Sequence, residues 1–179
     1  SSGLVGSEMC IRDSSWTEPM KMSENVNSDY WDSQPFLYGD MLFFVSNRPG
    51  GSGGRDIYFT KISGGEWAKA VNYNEVNSRY EEVSPFVREG ILYFSSDRID
   101  SFGGYDLFLL DGLESKNKIV SNLGSSINSH LDESSIFLTD DLIFYTSEDK
   151  LDQNLKSEII IGELVKNYQS INEYTVIAV

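Results

Sequence analysis

The sequence predicts an all-β protein made of repeated four-stranded antiparallel units. Three observations carry that prediction. The chain repeats itself with a period of about 50 residues. Each period divides into four short strand-like runs separated by turn signals. No window sustains apolar residues at i, i+3, i+4 and i+7, so little helix is expected. Ten Tyr, ten Phe and three Trp fit the same reading, because aromatic side chains suit a pleated, half-buried surface.

The repeat shows as a constant offset. Asn27 matches Asn77, Pro35 matches Pro85, Arg48 matches Arg98 and Asp56 matches Asp106, each 50 positions on. A weaker third copy starts at Ile127, where Asn128 matches Asn77 and Glu133 matches Glu82 at an offset of 51. It lacks the proline, the arginine and the paired glycines. Trp16 and Trp67 recur ahead of the first two copies and are read as packing residues on an outer strand. The periods are drawn as residues 15–66, 67–116, 117–166 and, from 167 to 179, the start of a further repeat.

One unit, from Ser84 to Leu123, shows the elements in order. "SPFVR" is a first strand and "ILYFSSD" a second, with Ile91, Tyr93 and Ser95 alternating against Leu92, Phe94 and Ser96. "DLFLLDG" is a third and "NKIVSNL" a fourth. The turns are Glu89-Gly90, "GGYD" at Gly103 to Asp106, and Asp111-Gly112. Four antiparallel strands in about 50 residues is the arithmetic of a β-propeller blade, which hides its faces only against neighbouring blades. Phe36, Phe44, Phe86, Tyr93, Phe94 and Phe108 are the expected core. Each stabilises by about 1.5–3 kcal/mol when fully buried. The chain is thus expected to be a partial β-propeller of about three four-stranded antiparallel blades. Closed rings take about 4–8 blades, so a fragment of a larger closed propeller is expected, with apolar faces open at both ends.

Length and charge bound the rest. A chain of 179 residues suffices for one domain with a real core. The net charge of −14 and pI of about 4.3 repel phosphate, which excludes nucleic acid and anionic membrane surfaces as partners. No window approaches 18 consecutive apolar residues, and no basic-then-apolar start resembles a signal peptide. The single cysteine, Cys10, rules out an intramolecular disulfide. It lies in "SSGLVGSEMCIRDS", Ser1 to Ser14, which shares nothing with the repeat and resembles translated sequencing-adapter read-through. That stretch is read as a non-native leader.

The glycine-rich stretch "NRPGGSGGRDIYFT", Asn47 to Thr60, invites three readings. A phosphate cradle needs a following helix and a Lys-Ser/Thr pair, and here a strand follows. A calcium site needs six or more oxygens, and Arg55 beside Asp56 argues against a cation. The turn reading has the glycines supplying φ > 0 between strands, with Asp56 and Asp106 accepting bonds from exposed backbone N–H groups. Recurrence supports the turn, since a group needed once for a reaction need not reappear in each period. On that ground Arg48/Arg98, Asp56/Asp106, Pro35/Pro85, Asn27/Asn77/Asn128 and Glu82/Glu133 are read as architecture. Arg98 is expected to bridge to an acid or to carbonyls, and the Asn-Ser pairs to turn the chain into the next unit.

No catalytic constellation is found, and no catalytic, cofactor-binding or metal-ligating residue is assigned. His130, the only histidine, lies in "NSHLDES" and reads as a loop residue. A triad would need three converging groups. The acid pairs Glu81-Glu82, Asp132-Glu133 and Asp140-Asp141 cannot flank one bond, because adjacent strand residues face opposite ways. Glu82 and Glu133 are expected instead to face the propeller axis as an acidic rim. Trp31, next to Tyr30 and without a Trp counterpart, is a candidate contact residue.

"SPFVREGILYFSSDR…GGYDLF" resembles the PD40 (WD40-like) repeat of TolB-type propellers. The variant "GGxGGxDIY" with a later "NLGxxINS" is similar to repeats of Bacteroidota envelope proteins, which often carry an OmpA-like domain and include a type IX secretion component. The likeness covers about Trp16 to Val165. Two departures stand out, the Gly39-Asp40 order and "LDQNLKSE" in place of the third glycine loop. The resemblance implies a non-enzymatic protein- or peptide-binding scaffold, periplasmic or associated with the outer membrane, without a cofactor. The alternatives it leaves are the propeller part of a serine peptidase whose catalytic residues lie elsewhere, and a glycan- or cation-binding module.

Overall fold

A computed structural model describes residues 17–150, 156–165 and 175–178. The leader Ser1 to Ser14, Cys10 and Trp16 lie outside the described residues. Within them the chain is all-β, with no helix. It forms three antiparallel sheets, none closed on itself. The first contains β1 (Asp32–Tyr38), β2 (Met41–Ser46), β3 (Asp56–Ser63) and two short pieces beside β3, β4 (Glu66–Trp67) and β5 (Val71–Asn72). The second is β6 (Glu82–Arg88), β7 (Ile91–Ser96), β8 (Asp106–Asp111) and β9 (Ile119–Asn122). The third is β10 (Asp132–Leu138), β11 (Leu142–Asp149), β12 (Lys156–Val165) and β13 (Thr175–Ala178). The second and third are plain meanders, with neighbours in space following sequence order.

The sequence period and the sheets differ in phase. The cut between residues 66 and 67 falls inside β4, and that between 116 and 117 falls before β9. Each sheet therefore takes its outer strand from the start of the next sequence period. Thr175–Ala178, within the stretch drawn as the start of a further repeat, is the outer strand of the third sheet.

Registers repeat as well as elements. Ser46 pairs with Asp56, and Ser96 with Asp106. The first strand of every sheet carries a bulge at one equivalent place, between Ser33 and Phe36, Val83 and Phe86, and Ser134 and Phe137. Gln34, Ser84 and Ser135 sit there with φ of 52, 54 and 56°, in the left-handed region. The hairpin turns follow local chemistry. Glu89 and Gly90 both have positive φ (52 and 77°), the pattern of a type I′ turn. At Gly39-Asp40 only the glycine does (57°), the type II′ pattern, which is what the inverted residue order allows.

The sheets stack face to back. Strand alternation puts Phe43 and Val45 of β2, with Ile57 of β3, in one buried cluster with Leu92, Phe94, Phe108 and Leu110 of the second sheet. The opposite face of the second sheet, with Phe86, Tyr93 and Leu107, clusters with Ile136, Leu138, Ile143 and Tyr145 of the third. Phe43 and Tyr93 are equivalent by position, as are Leu92 and Ile143. Each junction thus joins the forward face of one sheet to the rear face of the next. The rear face of the first sheet, Leu42, Phe44 and Tyr58, is buried with Val26 and Ala70, and Met22 and Trp67 pack against it. Five of the six expected core residues are buried. Phe36 is only partly so, and packs edge-on against Phe86 at 5.0 Å.

Candidate functional site

The recurrent polar residues form one device built three times. In the second sheet, Glu82 accepts hydrogen bonds from the Ser78 backbone N–H (2.9 Å), the Ser78 hydroxyl (2.6 Å) and the Ser96 hydroxyl (2.9 Å). Arg98 donates to Glu82 (3.0 Å), to the Val76 carbonyl (2.6 Å) and to Ser96 (3.1 Å). Its guanidinium lies over Phe94 and Phe108, 5.2 and 4.8 Å from the ring centres. The first sheet repeats this with Asp32, Ser28 and Arg48, which donates to Asp32 (2.6 Å) and the Val26 carbonyl (2.7 Å). The third keeps the acid and serines, with Ser129 and Ser147 donating to Glu133. Asp149 stands where the arginine would be. Burial pushes the Asp32 carboxyl up, but bonds from Arg48, Ser46 and Ser28 outweigh it and hold the group below the usual carboxylate value.

These contacts correct one expectation. Glu82 and Glu133 form no acidic rim, since they are 0 % and 1 % exposed and each is bonded within its own unit. The bulged first strand turns them inward, where hydroxyls and backbone N–H groups replace water.

The Asn-Ser pairs do join the units. The Asn77 amide accepts from the Ile57 N–H (2.9 Å) and donates to the Ile57 carbonyl (2.7 Å), clipping β3 of the preceding sheet. Ser78 then holds Glu82 of the following one. Asn128 clips Leu107 in the same way, at 2.8 and 2.9 Å. Asp56 accepts bonds from the loop N–H groups of Ser52 and Gly53, and Asp106 from Phe102 and Gly103, as the turn reading expects.

The reason for the glycines differs from the expectation. Of the six in the two loops, only Gly50 has positive φ (91°). Gly51 makes room for the Asp56 carboxylate of its own loop, and at Gly53, Gly54, Gly103 and Gly104 the next unit runs against the glycine. A Cβ on Gly53 would lie 2.8 Å from the Tyr80 carbonyl carbon, and one on Gly103 2.5 Å from that of His130. The Glu82 N–H donates to the Arg55 carbonyl (2.8 Å) and the Glu133 N–H to the Tyr105 carbonyl (2.6 Å). The loops are docking seams between sheets.

A charged cluster closes the first seam. Arg55 pairs with Glu81 and donates to the Tyr105 hydroxyl (2.7 Å), which in turn donates to Glu81. Burial raises the Glu81 carboxyl, yet the bonds from Arg55 and Tyr105 bring it below its ordinary value. Burial, and then the bond to Glu81, push the Tyr105 hydroxyl upward, so the proton stays on the phenol. Glu81 thus lies on the seam while its neighbour Glu82 is buried, as opposed strand faces require.

Between the second and third sheets, at the hairpin end away from the glycine loops, lies a pocket of about 270 Å³. Its floor is apolar, with Tyr93, Leu123, Ile127, Ile136 and Leu138. Arg88, Glu89 and Asp140 form its rim. Arg88 donates to the Leu138 carbonyl (2.9 Å) and pairs with Asp140. The sequence marked Tyr93 as core, Glu89 as a turn residue and Asp140 as one of an acid pair, and nothing in it brought them together. The one visible signal is a departure from the repeat: Leu123 stands where the first junction has Tyr73.

Of the remaining candidates only Asp140 reaches this pocket, at its rim. His130 is exposed on the crossing between the second and third sheets. Asp140 and Asp141 are exposed in the β10–β11 turn. Trp31 and Tyr30 are exposed, 42 and 56 %, before β1. Among the described residues no three His, Cys, Asp or Glu side chains gather as metal ligands, and no helix is long and apolar enough to cross a membrane.

Fold and seams together define a class: an all-β protein of internally repeated antiparallel sheets stacked face to back. Compared with known proteins, the chain matches no protein-family model, no curated protein and no solved structure.

Proposed function

We propose that the chain is part of a PD40/TolB-like β-propeller and acts as a non-enzymatic scaffold that binds proteins or peptides in the bacterial cell envelope. One observation carries the array: every junction is made by the same forward and rear positions, and the forward face of the third sheet carries exposed apolar residues. Phe137 is 53 %, Ile159 81 % and Ile161 44 % exposed. Phe137 is the equivalent of Phe86, which is buried in the second junction. In the proposed ring this face receives the rear face of a further sheet, one of the remaining blades. The recurrent acids, arginines and asparagines are consumed in holding sheets together, which leaves recognition to loops and to non-recurrent positions. The envelope setting rests on the sequence resemblance.

Two measurements test the reading. Sedimentation velocity over a hundredfold concentration range is expected to show self-association that Ile159→Lys with Phe137→Lys reduces. A wild-type monomer at every concentration would count against stacking. Fractionation of cells carrying the gene is expected to place the protein in the periplasm or outer membrane, and recovery from the cytosol alone would remove the envelope assignment.

A further inference from the structure

We propose that the pocket between the second and third sheets takes one large apolar side chain of a partner peptide, of the phenylalanine or leucine class, flanked by a lysine or arginine. The inference rests on the interaction-scaffold reading and gives that scaffold a recognition site. It starts from a break in the repeat. In the first junction, Tyr73 lies 6.1 Å from Phe43 and 5.1 Å from Phe59, ring centre to ring centre, and is buried. Three rings, tilted against one another, fill that space. At the equivalent positions the second junction has Tyr93, Leu109 and Leu123. The third sheet loses bulk too. Leu92 pairs with Leu110, whereas its counterpart Ile143 pairs with Gly162. This joint has two aromatic rings and a leucine fewer than the first, and one of the altered positions, Leu123, lines a hollow of about 270 Å³.

Size and charge select the occupant. Small-molecule pockets run from roughly 300 to 1,000 Å³, so this hollow falls below that range and suits a single side chain. The rim has one guanidinium and two carboxylates. Arg88 is already engaged by Asp140 and by the Leu138 carbonyl, with Glu89 3.6 Å away. The Glu89 and Asp140 side chains are 79 and 80 % exposed and can turn to a cation beside the bound side chain. The chain's net charge of −14 favours the approach of a basic segment over an acidic one.

The test is an NMR titration of the chain with three capped peptides, Lys-Phe-Lys, Glu-Phe-Glu and Lys-Ala-Lys. Lys-Phe-Lys is expected to shift the methyl resonances of Leu123, Ile136 and Leu138, and to bind roughly tenfold more tightly than Glu-Phe-Glu. The double variant Glu89→Gln, Asp140→Asn is expected to erase that preference. Leu123→Tyr restores the residue of the first junction, fills the hollow and is expected to weaken binding at least tenfold while the melting curve stays cooperative. Ile91→Phe fills it from the other wall should the tyrosine not fold. Equal binding of Lys-Ala-Lys, unchanged binding by both filled variants, or tighter binding of toluene at the same methyls would overturn the pocket and leave the scaffold standing. No shift with any of the three peptides would also overturn the pocket. A broad peptide array without a single binder would remove the scaffold reading itself.

Discussion

Arg98 shows how a recurrent charge is used. It spans a carboxylate that is 0 % exposed, a carbonyl from the preceding crossing and two aromatic faces. Removing one partner of a buried pair leaves the other charge stranded, at a cost of about 3–5 kcal/mol. Arg98→Ala is therefore expected to destabilise by about that much in denaturant titration, and the double variant Arg98→Met, Glu82→Gln by clearly less. Asp32 sets a pH dependence. Its folded-state value lies below the unfolded one of about 3.9, so the stability it supplies is present above about pH 4 and is lost as pH falls through the lower folded value. Asp32→Asn is expected to flatten the stability–pH curve below about pH 4.5 and to leave its slope near pH 7 unchanged. The architectural role of Arg98 and Glu82 was legible from their recurrence alone, whereas that of Asp32, an aspartate where the later copies have glutamate, was not. The direction in which Glu82 and Glu133 point was not, because a bulge with one left-handed residue decides it.

At the scale of elements, the strands of the second sheet were legible because apolar alternation and turn residues agree along it. Ile91–Ser96 and Asp106–Asp111 fall within the runs read from the sequence. The glycine loops were placed correctly and explained by the wrong cause. Close approach of a backbone some thirty residues downstream leaves no trace in local sequence. The two causes separate by mutation. Gly103→Ala sets a Cβ against the His130 backbone, which cannot yield without parting two sheets. It is expected to cost about 1–3 kcal/mol or more. Gly64→Ala has open space around it but φ of 62°, and is expected to cost about 1–2 kcal/mol from local strain alone. Thermal melts of the two proteins should therefore differ in kind. The Gly103 variant is expected to bare the second junction to hydrogen exchange, and the Gly64 variant only its own turn.

At the scale of the molecule, stacking polarity is the governing feature. Forward and rear faces differ, so the units extend in one direction and the third sheet ends on a forward face with Phe137, Ile159 and Ile161 exposed. Adding a four-stranded unit of the second-sheet kind after the third is expected to raise the melting temperature and to suppress self-association. An unchanged melting temperature would show that the face needs no cover. The period of about 50 residues, the four strands in each and the residues that make the seams were determined by the sequence itself, because repetition writes each contact more than once. Only the tertiary structure decided that the acids turn inward and that the second junction is hollow. Each depends on atoms brought together from distant parts of the chain, and local pattern carries no record of how closely two backbones or two rings will meet.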